Sequence, residues 1–235
     1  MLTTLGLVLS KKDVGEYDRE YCFFTKNYGK IKLIAKSVRK PLSKLSGQLE
    51  PPSLMEIVFV PNNDKGLITT ALVKKNYLKV RKILEKQKTY NTIVNTVESL
   101  TEYKQKDLLM WELLKNTIEN LNNNNWKIIE IDFLAKFLKE LGFSPNVEYC
   151  INCQKKIKNE VNIYFDSDRW GFCCDKCKPS KHEKISLQTF KSLSILLTLS
   201  LKEIFTRELD EPILAQYMNI KNLLLKYLKQ IKKYF

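Results

Sequence analysis

The chain has 235 residues, of which 44% are hydrophobic and 28% charged, and it contains only seven Gly and seven Pro. This composition is typical of a globular protein and disfavours a disordered chain. The formal net charge of +14 indicates a polyanionic partner such as nucleic acid or an acidic membrane.

Residues 1–76 are predicted to form a small β-barrel. Five short runs are rich in Val, Ile, Leu, Phe, Tyr and Thr, and they cover residues 5–10, 19–26, 30–38, 54–60 and 67–73. Gly29 follows the second run, where it suits a left-handed hairpin position. Five strands in this length favour a Greek-key barrel of the OB type, although an SH3-like barrel fits the periodicity almost as well.

From residue 77 the pattern becomes helical, with apolar residues three and four positions apart. Asp107 is placed to cap the second of the first three predicted helices, and Gly142 to end the third. The four asparagines between these two helices are expected to form a loop. The three helices cover residues 90–100, 107–121 and 126–142.

Two further helices are predicted after a cysteine-rich segment. Ser186 can cap a helix over residues 187–205, and a last helix runs from Glu211 to the C-terminus. The predicted fold is therefore α+β, with an OB-type five-stranded barrel in residues 1–76 and an α-helical domain in residues 77–235.

The chain shows no sign of membrane insertion or secretion. The longest strongly apolar, uncharged run has ten residues (192–201), far fewer than the ~20 that span a bilayer. The first thirteen residues lack the basic region and the cleavage site of a signal peptide. We therefore expect a cytoplasmic protein, in which clustered cysteines are more often metal ligands than disulfides.

Five of the six cysteines lie within 28 residues. Cys150 and Cys153 form one pair and Cys174 and Cys177 another, each with two residues between its members, and twenty residues separate the pairs. This is the spacing of a structural zinc site in which four thiolates complete a tetrahedron. We expect these four cysteines to hold one Zn ion in an insertion that covers residues 147–182.

The remaining cysteines and the single histidine are given lesser roles. Cys173 could replace Cys174 as a ligand, but the pair would then have the rarer C-x3-C spacing, so Cys173 is placed outside the metal shell. Cys22 lies in an aromatic strand and is predicted to be buried. His182 is a possible substitute ligand that four cysteines make unnecessary. The intervening residues 161–172 are predicted to form a hairpin.

No active site is evident. A single histidine excludes the usual two-histidine hydrolytic metal centres and disfavours a histidine-based triad. The chain contains neither of the common glycine-rich phosphate loops. Asp166 and Asp168 resemble an acidic metal pair, but between the two cysteine pairs they are better explained as a hairpin turn. We expect a protein that is not an enzyme.

The basic residues are unevenly distributed. The excess of basic over acidic residues is +7 in residues 1–80, zero in 81–149 and +7 in 150–235, whereas a genome-wide bias towards Lys should not leave the middle neutral. Between Glu20 and Glu50 there is no acidic residue. The basic residues in this interval are Lys26, Lys30, Lys32, Lys36, Arg39, Lys40 and Lys44.

Some of these cations are expected on the outer face of the third strand. The alternation places Lys30, Lys32, Ile34 and Lys36 on that face, opposite Ile31, Leu33 and Ala35. OB barrels bind single strands through a basic groove with aromatic stacking platforms. The candidate platforms are Tyr21, Phe23, Phe24 and Tyr28, of which Phe23 or Phe24 must fill the core. This pattern predicts nucleic-acid binding.

The same region closely resembles the N-terminal domain of the bacterial DNA repair and recombination mediator RecO family. The shared features are a D-x-GE-x-D turn at residues 13–18 and a run of the form YGKI, AKSVRKP, SKLSG and LEP from Tyr28 to Pro51. The resemblance resumes at FLAKFLKELGFSPNVEYCINC and continues through YFDSDRWGFCCDKC and the ISLQTFKSLSILL helix. The family usually has Gly shortly after the first cysteine pair, where this chain has Gln154, Lys155 and Lys156.

The resemblance implies an OB domain, a helical domain and a zinc-binding segment. It further implies binding of single- and double-stranded DNA, annealing of complementary strands, contact with single-strand-binding protein, and cooperation with RecR in loading RecA. Carried over by position, the first-choice DNA contacts are Lys36, Arg39, Lys40 and Lys44. Lys11 and Lys12 are second choices, and the strand residue Lys32 completes the candidate set.

The C-terminal lysines allow several interpretations. Lys221, Lys226, Lys229, Lys232 and Lys233 follow Glu211 without a further acidic residue. They can extend the DNA path, receive the acidic C-terminal tail of single-strand-binding protein, or form an ordinary solvated helix face.

Three rival functions are compatible with the sequence. The first is an OB protein with a zinc ribbon that binds RNA. The second is a nuclease that uses Asp166 and Asp168, and the third is a scaffold whose zinc segment docks protein only. Preference for ribose would favour the first, magnesium-dependent cleavage the second, and indifference to Arg39→Glu the third.

Overall fold

A computed structural model describes residues 1–62, 65–123, 125–157, 162–166, 168–178 and 183–232, and the side chain of residue 123 is left out of the description. The chain forms two compact units, of which the first ends at Trp126 and the second begins at Lys127. The predicted boundary at residue 77 separates strands from helices, and the first helices belong to the same compact unit as the strands.

The first unit contains a closed five-stranded barrel. Its strands are β1 (Leu2–Val14), β2 (Asp18–Thr25), β3 (Gly29–Ala35), β4 (Ser53–Val60) and β5 (Gly66–Asn76). They are hydrogen-bonded in the order β1-β2-β3-β5-β4, and β4 returns to β1. Neighbours are antiparallel except β3 and β5, which pair in parallel over a short stretch. The barrel is of the OB type, as predicted.

The barrel core confirms the alternation in β3. Ile31, Leu33 and Ala35 are buried together with residues of the other strands, among them Phe23 and Ile57. Gly29 has a φ of 61°, the left-handed conformation predicted for the hairpin before β3.

Three helices complete the first unit: α1 (Leu78–Lys82), α2 (Leu84–Leu100) and α3 (Leu108–Asn123). The buried hydroxyl of Tyr90 in α2 donates a hydrogen bond to the Val8 carbonyl of β1 at 2.8 Å. Asp107 caps α3 as predicted, since its Oδ1 accepts from the Met110 N–H at 2.9 Å. The helix extends into the asparagine run as far as Asn123, where the sequence predicted a loop.

The second unit combines helices with a three-stranded sheet. Its helices are α4 (Trp126–Glu140), α5 (Leu187–Thr198), α6 (Leu201–Thr206), α7 (Asp210–Ala215) and α8 (Tyr217–Ile231). The strands β6 (Ile163–Asp166), β7 (Gly171–Cys174) and β8 (Glu183–Ile185) pair in the order β7-β6-β8. No helix among the described residues has both the length and the apolar character needed to cross a bilayer.

Helix ends follow the predicted signals where local capping decides them. Gly142 has a φ of 80° just after α4, and the Phe143 N–H bonds back to the Leu138 carbonyl at 2.8 Å. The Ser186 Oγ accepts from the Thr189 N–H at 3.0 Å and starts α5. Both termini are confirmed.

The two long C-terminal helices predicted from periodicity are each broken. Ser200 and Glu203 form a capping box that starts α6, so the helix predicted over 187–205 becomes two. The predicted last helix divides at Gln216, which has non-helical dihedrals and accepts a hydrogen bond from Thr189 Oγ1 at 2.8 Å. In both places a local polar interaction outweighs continuous apolar periodicity.

The C-terminal lysines do not form one solvated face. Lys221 donates to the buried carboxylate of Glu130 at 2.9 Å and to the Tyr217 hydroxyl at 3.0 Å. Lys221 therefore pairs with a buried carboxylate and is not part of a solvated face. Lys226 pairs with Glu183 at 3.0 Å on the surface. Lys229 and Lys232 are exposed, and Lys233 lies outside the described residues.

A buried carboxyl in α4 predicts a pH-dependent stability. Burial raises the pKa of Asp132 to about 6, although the Lys136 ammonium at 2.5 Å opposes the shift. Between about pH 4 and pH 6 the carboxyl is protonated in the folded state but ionised in the unfolded state, because its folded pKa lies above the ordinary value. The stability of the folded state therefore falls as the pH rises through this range. At neutral pH, ionised Asp132 lowers the free energy of unfolding by about 3 kcal/mol.

We therefore expect Asp132→Asn to raise the free energy of unfolding relative to wild type by about 2–3 kcal/mol more at pH 7.5 than at pH 4. Urea unfolding of both proteins at the two pH values measures this difference. Asp210, which is half-buried at the start of α7, gives the control variant Asp210→Asn. If Asp132→Asn raises the free energy of unfolding equally at both pH values, the raised pKa of Asp132 is contradicted.

Candidate metal centre and nucleic-acid interface

The first cysteine pair lies in a tight hairpin. Tyr149 and Lys156 form an antiparallel bridge, and the Cys150 N–H donates to the Lys155 carbonyl at 2.8 Å. Gln154 closes the turn with a φ of 58°, and its N–H donates to the Cys150 carbonyl at 3.0 Å. This is the left-handed conformation that Gly adopts most easily. The turn therefore forms here with Gln in place of the Gly that the family usually has.

The second pair follows the hairpin predicted between the cysteines. In this hairpin β6 and β7 are antiparallel, with Ile163 opposite Cys174, and a short 3-10 helix (Asp175–Cys177) carries the last ligand. The two hairpins are joined by a bond from the Ile151 N–H to the Phe172 carbonyl at 3.0 Å. A Cβ at Gly171 would overlap the Ile151 side chain, so this glycine permits their close approach.

The four predicted ligands come together. The Sγ atoms of Cys150, Cys153, Cys174 and Cys177 all lie within 4.8 Å of one another. Those of Cys153 and Cys174 are 3.7 Å apart, too far for a disulfide and close to the edge of a tetrahedron with metal–sulfur bonds of about 2.3 Å, which is about 3.8 Å. The donor set therefore fits one metal ion in a closed site.

The fifth cysteine of the segment lies outside this group. Cys173 is fully buried, and burial raises the pKa of its thiol to about 11. The amide nitrogen of Asn152 lies 3.7 Å from the Cys173 sulfur. Cys22 is buried in β2, as predicted, and burial raises its thiol pKa to about 12.

The electrostatics of the cluster favour a bound cation. Although burial opposes it, hydrogen bonds from backbone N–H groups lower the pKa of Cys150 to about 6. Hydrogen bonding with the Cys153 thiol raises the pKa of Cys177 to about 12, and burial raises that of Cys174. One thiolate forms readily, but several thiolates repel one another at this distance unless a positive ion neutralises them.

Asp166 supports the cluster and is not itself a metal site. Its carboxylate accepts two bonds from the Arg169 guanidinium, at 2.7 and 2.9 Å, and one each from the backbone N–H groups of Asp168 and Arg169. Arg169 also donates to the Asn152 Oδ1, and the amide nitrogen of Asn152 donates to the Cys177 carbonyl at 3.0 Å. The predicted hairpin turn is confirmed, while residue 167 and His182 lie outside the described residues.

On the barrel, the acidic turn between β1 and β2 positions a basic loop, defined as residues 36–44. The Arg39 N–H donates to the Tyr17 carbonyl at 3.0 Å. The Asp18 carboxylate accepts from the Ser37 N–H at 2.8 Å and from Lys36 Nζ at 2.7 Å, and the Lys36 bond lowers its pKa. The D-x-GE-x-D turn thus shapes the loop that carries four candidate DNA contacts.

Ion pairs connect this loop to β1. Arg39 lies 3.5 Å from Asp13, and Asp13 accepts from Arg19 at 2.7 Å. Arg19 also lies 3.6 Å from Glu50, which pairs with Lys11 at 2.7 Å. Lys11, Arg39 and Lys36 therefore have carboxylate partners in the protein, and a phosphate must compete with these carboxylates.

The region keeps an excess of positive charge. Residues 11–19 and 36–50 contain seven cations and four carboxylates. Within the described part of the chain, Lys12 and Lys44 make no ion pair, and both are exposed. The Lys40 ammonium lies 5.1 Å from the centre of the Tyr17 ring, which is 42% exposed.

The outer face of β3 is not the open cationic face predicted from alternation. Lys30 is buried, and its ammonium donates to the Glu98 carbonyl at the end of α2 and lies over the Tyr103 ring. Lys32 is half-buried, with its ammonium 4.9 Å from the centre of the same ring. Lys32 and Lys36 are four residues apart in sequence, roughly 13 Å in an extended chain.

The predicted stacking platforms are mostly wrong. Tyr21 and Phe23 are buried in the barrel core, which needs their volume, and Phe24 is buried outside that core cluster. Tyr28 remains half-buried against Phe59. The exposed aromatic beside the basic loop is Tyr17, which a search of the turn sequence for aromatics could have found.

Comparison with known proteins gives a match along nearly the whole chain. The model described as Recombination protein O N terminal matches residues 1–77, and the one described as Recombination protein O C terminal matches residues 90–231. The chain is also similar to curated relatives, each with the name DNA repair protein RecO.

The relative from Caldicellulosiruptor bescii is 25% identical over 98% of this chain and 93% of its own length. The one from Acetivibrio thermocellus is 25% identical over 97% and 91%, and the one from Desulfatibacillum aliphaticivorans is 28% identical over 75% and 71%. With both of its terminal models matched in order, the chain belongs to the Recombination protein O family.

Proposed function

We propose that this chain is a DNA-binding recombination mediator in DNA repair that makes and breaks no covalent bond. It binds single- and double-stranded DNA, anneals complementary strands, and with RecR helps to load RecA onto DNA coated by single-strand-binding protein. The observation that carries the proposal is the match of both family models, together with relatives that have the name DNA repair protein RecO. Its place of action is the nucleoid, in the cytoplasm, without a membrane partner.

The proposed DNA-binding surface is the basic loop with the end of β1. Lys36, Arg39, Lys40 and Lys44 contact phosphates first, and Lys11 and Lys12 extend the path. Phosphates displace the carboxylates that now pair with some of these cations, and counterions are released from the DNA. Neutralising two strands at once lowers their mutual repulsion and allows their bases to pair.

The proposed metal is one structural Zn ion, held by Cys150, Cys153, Cys174 and Cys177. Zinc takes four thiolates in a tetrahedral shell and leaves no position for a reacting water. Its contribution is to join the two hairpins of the 147–182 insertion. The barrel of residues 1–76 supplies the DNA surface, and the helical part of residues 77–235 supports the insertion.

The proposed protein partners are single-strand-binding protein, RecR and, indirectly, RecA. The acidic tail of single-strand-binding protein suits exposed cations, and of the C-terminal lysines Lys229 and Lys232 are exposed while Lys221 is engaged with Glu130. RecA is reached indirectly, through the DNA and RecR. An RNA-binding function is the alternative that the same basic surface allows.

Binding to labelled single- and double-stranded DNA over a range of salt concentrations tests the proposal. We expect both forms to bind, with the logarithm of the affinity falling linearly with the logarithm of salt concentration and little dependence on base sequence. Matched RNA strands are the control. Tighter binding to RNA than to DNA, or no binding to either form of DNA, would overturn the proposal.

A further inference from the structure

A cavity of about 250 Å³ opens on the barrel, and none of residues 36–44 of the basic loop lines it. Its apolar lining includes Leu2 at the start of β1, Leu33 in β3 and Phe59 at the end of β4. Lys32 and Lys106 line it as well, together with Tyr28. Cavities of roughly 300–1,000 Å³ hold drug-sized ligands, so this one suits a single small group.

One wall of the cavity is built by the chain between α2 and α3. Tyr103 forms a parallel bridge with Lys30, and the Lys104 N–H donates to the Lys30 carbonyl at 2.8 Å. A Cβ at Gly29 would overlap the Gln105 carbonyl, so the glycine permits this segment to lie against the start of β3. The segment thereby brings Lys106 to the cavity.

The lining combines groups that match the parts of a nucleotide. The apolar floor and the Tyr28 ring accept a flat base, while the Asn27 amide nitrogen can donate to the polar edge of a base, since the Asn27 Oδ1 already accepts from Thr4 Oγ1 at 3.0 Å. Lys32 and Lys106, from two separate elements, can bind the adjoining phosphates. An acidic peptide would bind the cations, but it has no base edge to bond with the polar group of the lining.

We infer that this cavity holds one unpaired base of single-stranded DNA, with the neighbouring phosphates on Lys32 and Lys106. The inference rests on the proposed DNA binding and adds a way for the protein to distinguish single-stranded from double-stranded DNA. A base inside a duplex is stacked and paired and cannot enter the cavity without being flipped out. The cavity therefore serves single strands, whereas the basic loop contacts the phosphates of single and double strands alike.

The first test compares an intact oligothymidylate of roughly 15 nucleotides, the length that one OB barrel can cover, with the same strand made abasic. Stacking of a base on an aromatic ring contributes enough that we expect wild type to bind the intact strand about tenfold more tightly. The variant Leu2→Trp, which fills the cavity, should bind both strands equally and keep its affinity for duplex DNA.

The second test uses charge. Lys106→Ala should weaken binding of the intact single strand severalfold and leave duplex binding unchanged. The matched control is Lys74→Ala on β5, which removes one exposed charge paired with Glu56 and should change neither affinity.

Equal affinity of wild type for intact and abasic strands, with duplex binding present, would overturn the cavity inference alone. Displacement of bound strand by an acidic peptide, again without an effect of the bases, would assign the cavity to a peptide instead. Failure of wild type to bind either form of DNA would overturn the proposed function itself, so the two failures are distinguishable.

Discussion

Cys174→Ser is expected to release the metal, whereas Cys173→Ser is expected to retain it. The two cysteines are adjacent in sequence, but the Sγ of Cys174 belongs to the group of four within 4.8 Å and that of Cys173 does not. Structural zinc in small modules has an apparent binding free energy of about 10–16 kcal/mol, which depends on all of its ligands. A site that has lost one thiolate binds zinc much more weakly, so most of the sites should be empty at ordinary zinc concentrations.

Metal content per purified chain, measured by elemental analysis, gives the answer directly. Wild type and Cys173→Ser should both contain about one zinc ion, and Cys174→Ser close to none. We also expect a chelator to lower the unfolding temperature of wild type but not of Cys174→Ser. Full zinc content in Cys174→Ser together with loss in Cys173→Ser would reassign the ligand and contradict the cluster.

Arg39→Glu is expected to weaken DNA binding more than removal of a charge elsewhere. The substitution changes the local charge by two and places a carboxylate beside Asp13, which lies 3.5 Å from the present guanidinium. Loss of a phosphate contact weakens binding of all sequences alike, and the new carboxylate also repels the phosphate, so the affinity at low salt should fall about tenfold and the salt slope should decrease by about one.

A matched control is available at the C-terminal end of α6. Arg207 is exposed and lies 3.6 Å from Glu203, so Arg207→Glu makes the same change of charge beside a carboxylate in the second unit. Titration of labelled DNA with both variants separates the local effect from that of net charge. An equal loss in the two variants would contradict the assignment of the basic loop as the DNA contact.

The barrel and the cysteine cluster were predictable because each depends on a regular pattern. Strand alternation placed Ile31 and Leu33 in the core, and two closely spaced pairs placed four thiols around one point. Helix caps at Asp107 and Ser186 were predictable for the same reason, since one side chain and one backbone N–H decide them.

The failures arise where distant residues decide. Lys30 is buried because α2 and the segment after it cover part of β3, and Lys221 is engaged because Glu130 lies opposite it. Neither partner is near in sequence, so charge counting treated both lysines as solvated. The breaks at Ser200 and Gln216 depend on polar bonds that apolar periodicity does not register.

The proposed mediator function requires that this protein bring complementary DNA strands together, which an annealing rate measures. Complementary strands are coated with single-strand-binding protein, mixed with and without this protein, and followed by fluorescence as duplex forms. We predict faster annealing that is suppressed by salt and by Arg39→Glu, because the cations of the basic loop neutralise phosphates on both strands. No acceleration, despite tight binding to bare strands, would contradict the mediator function.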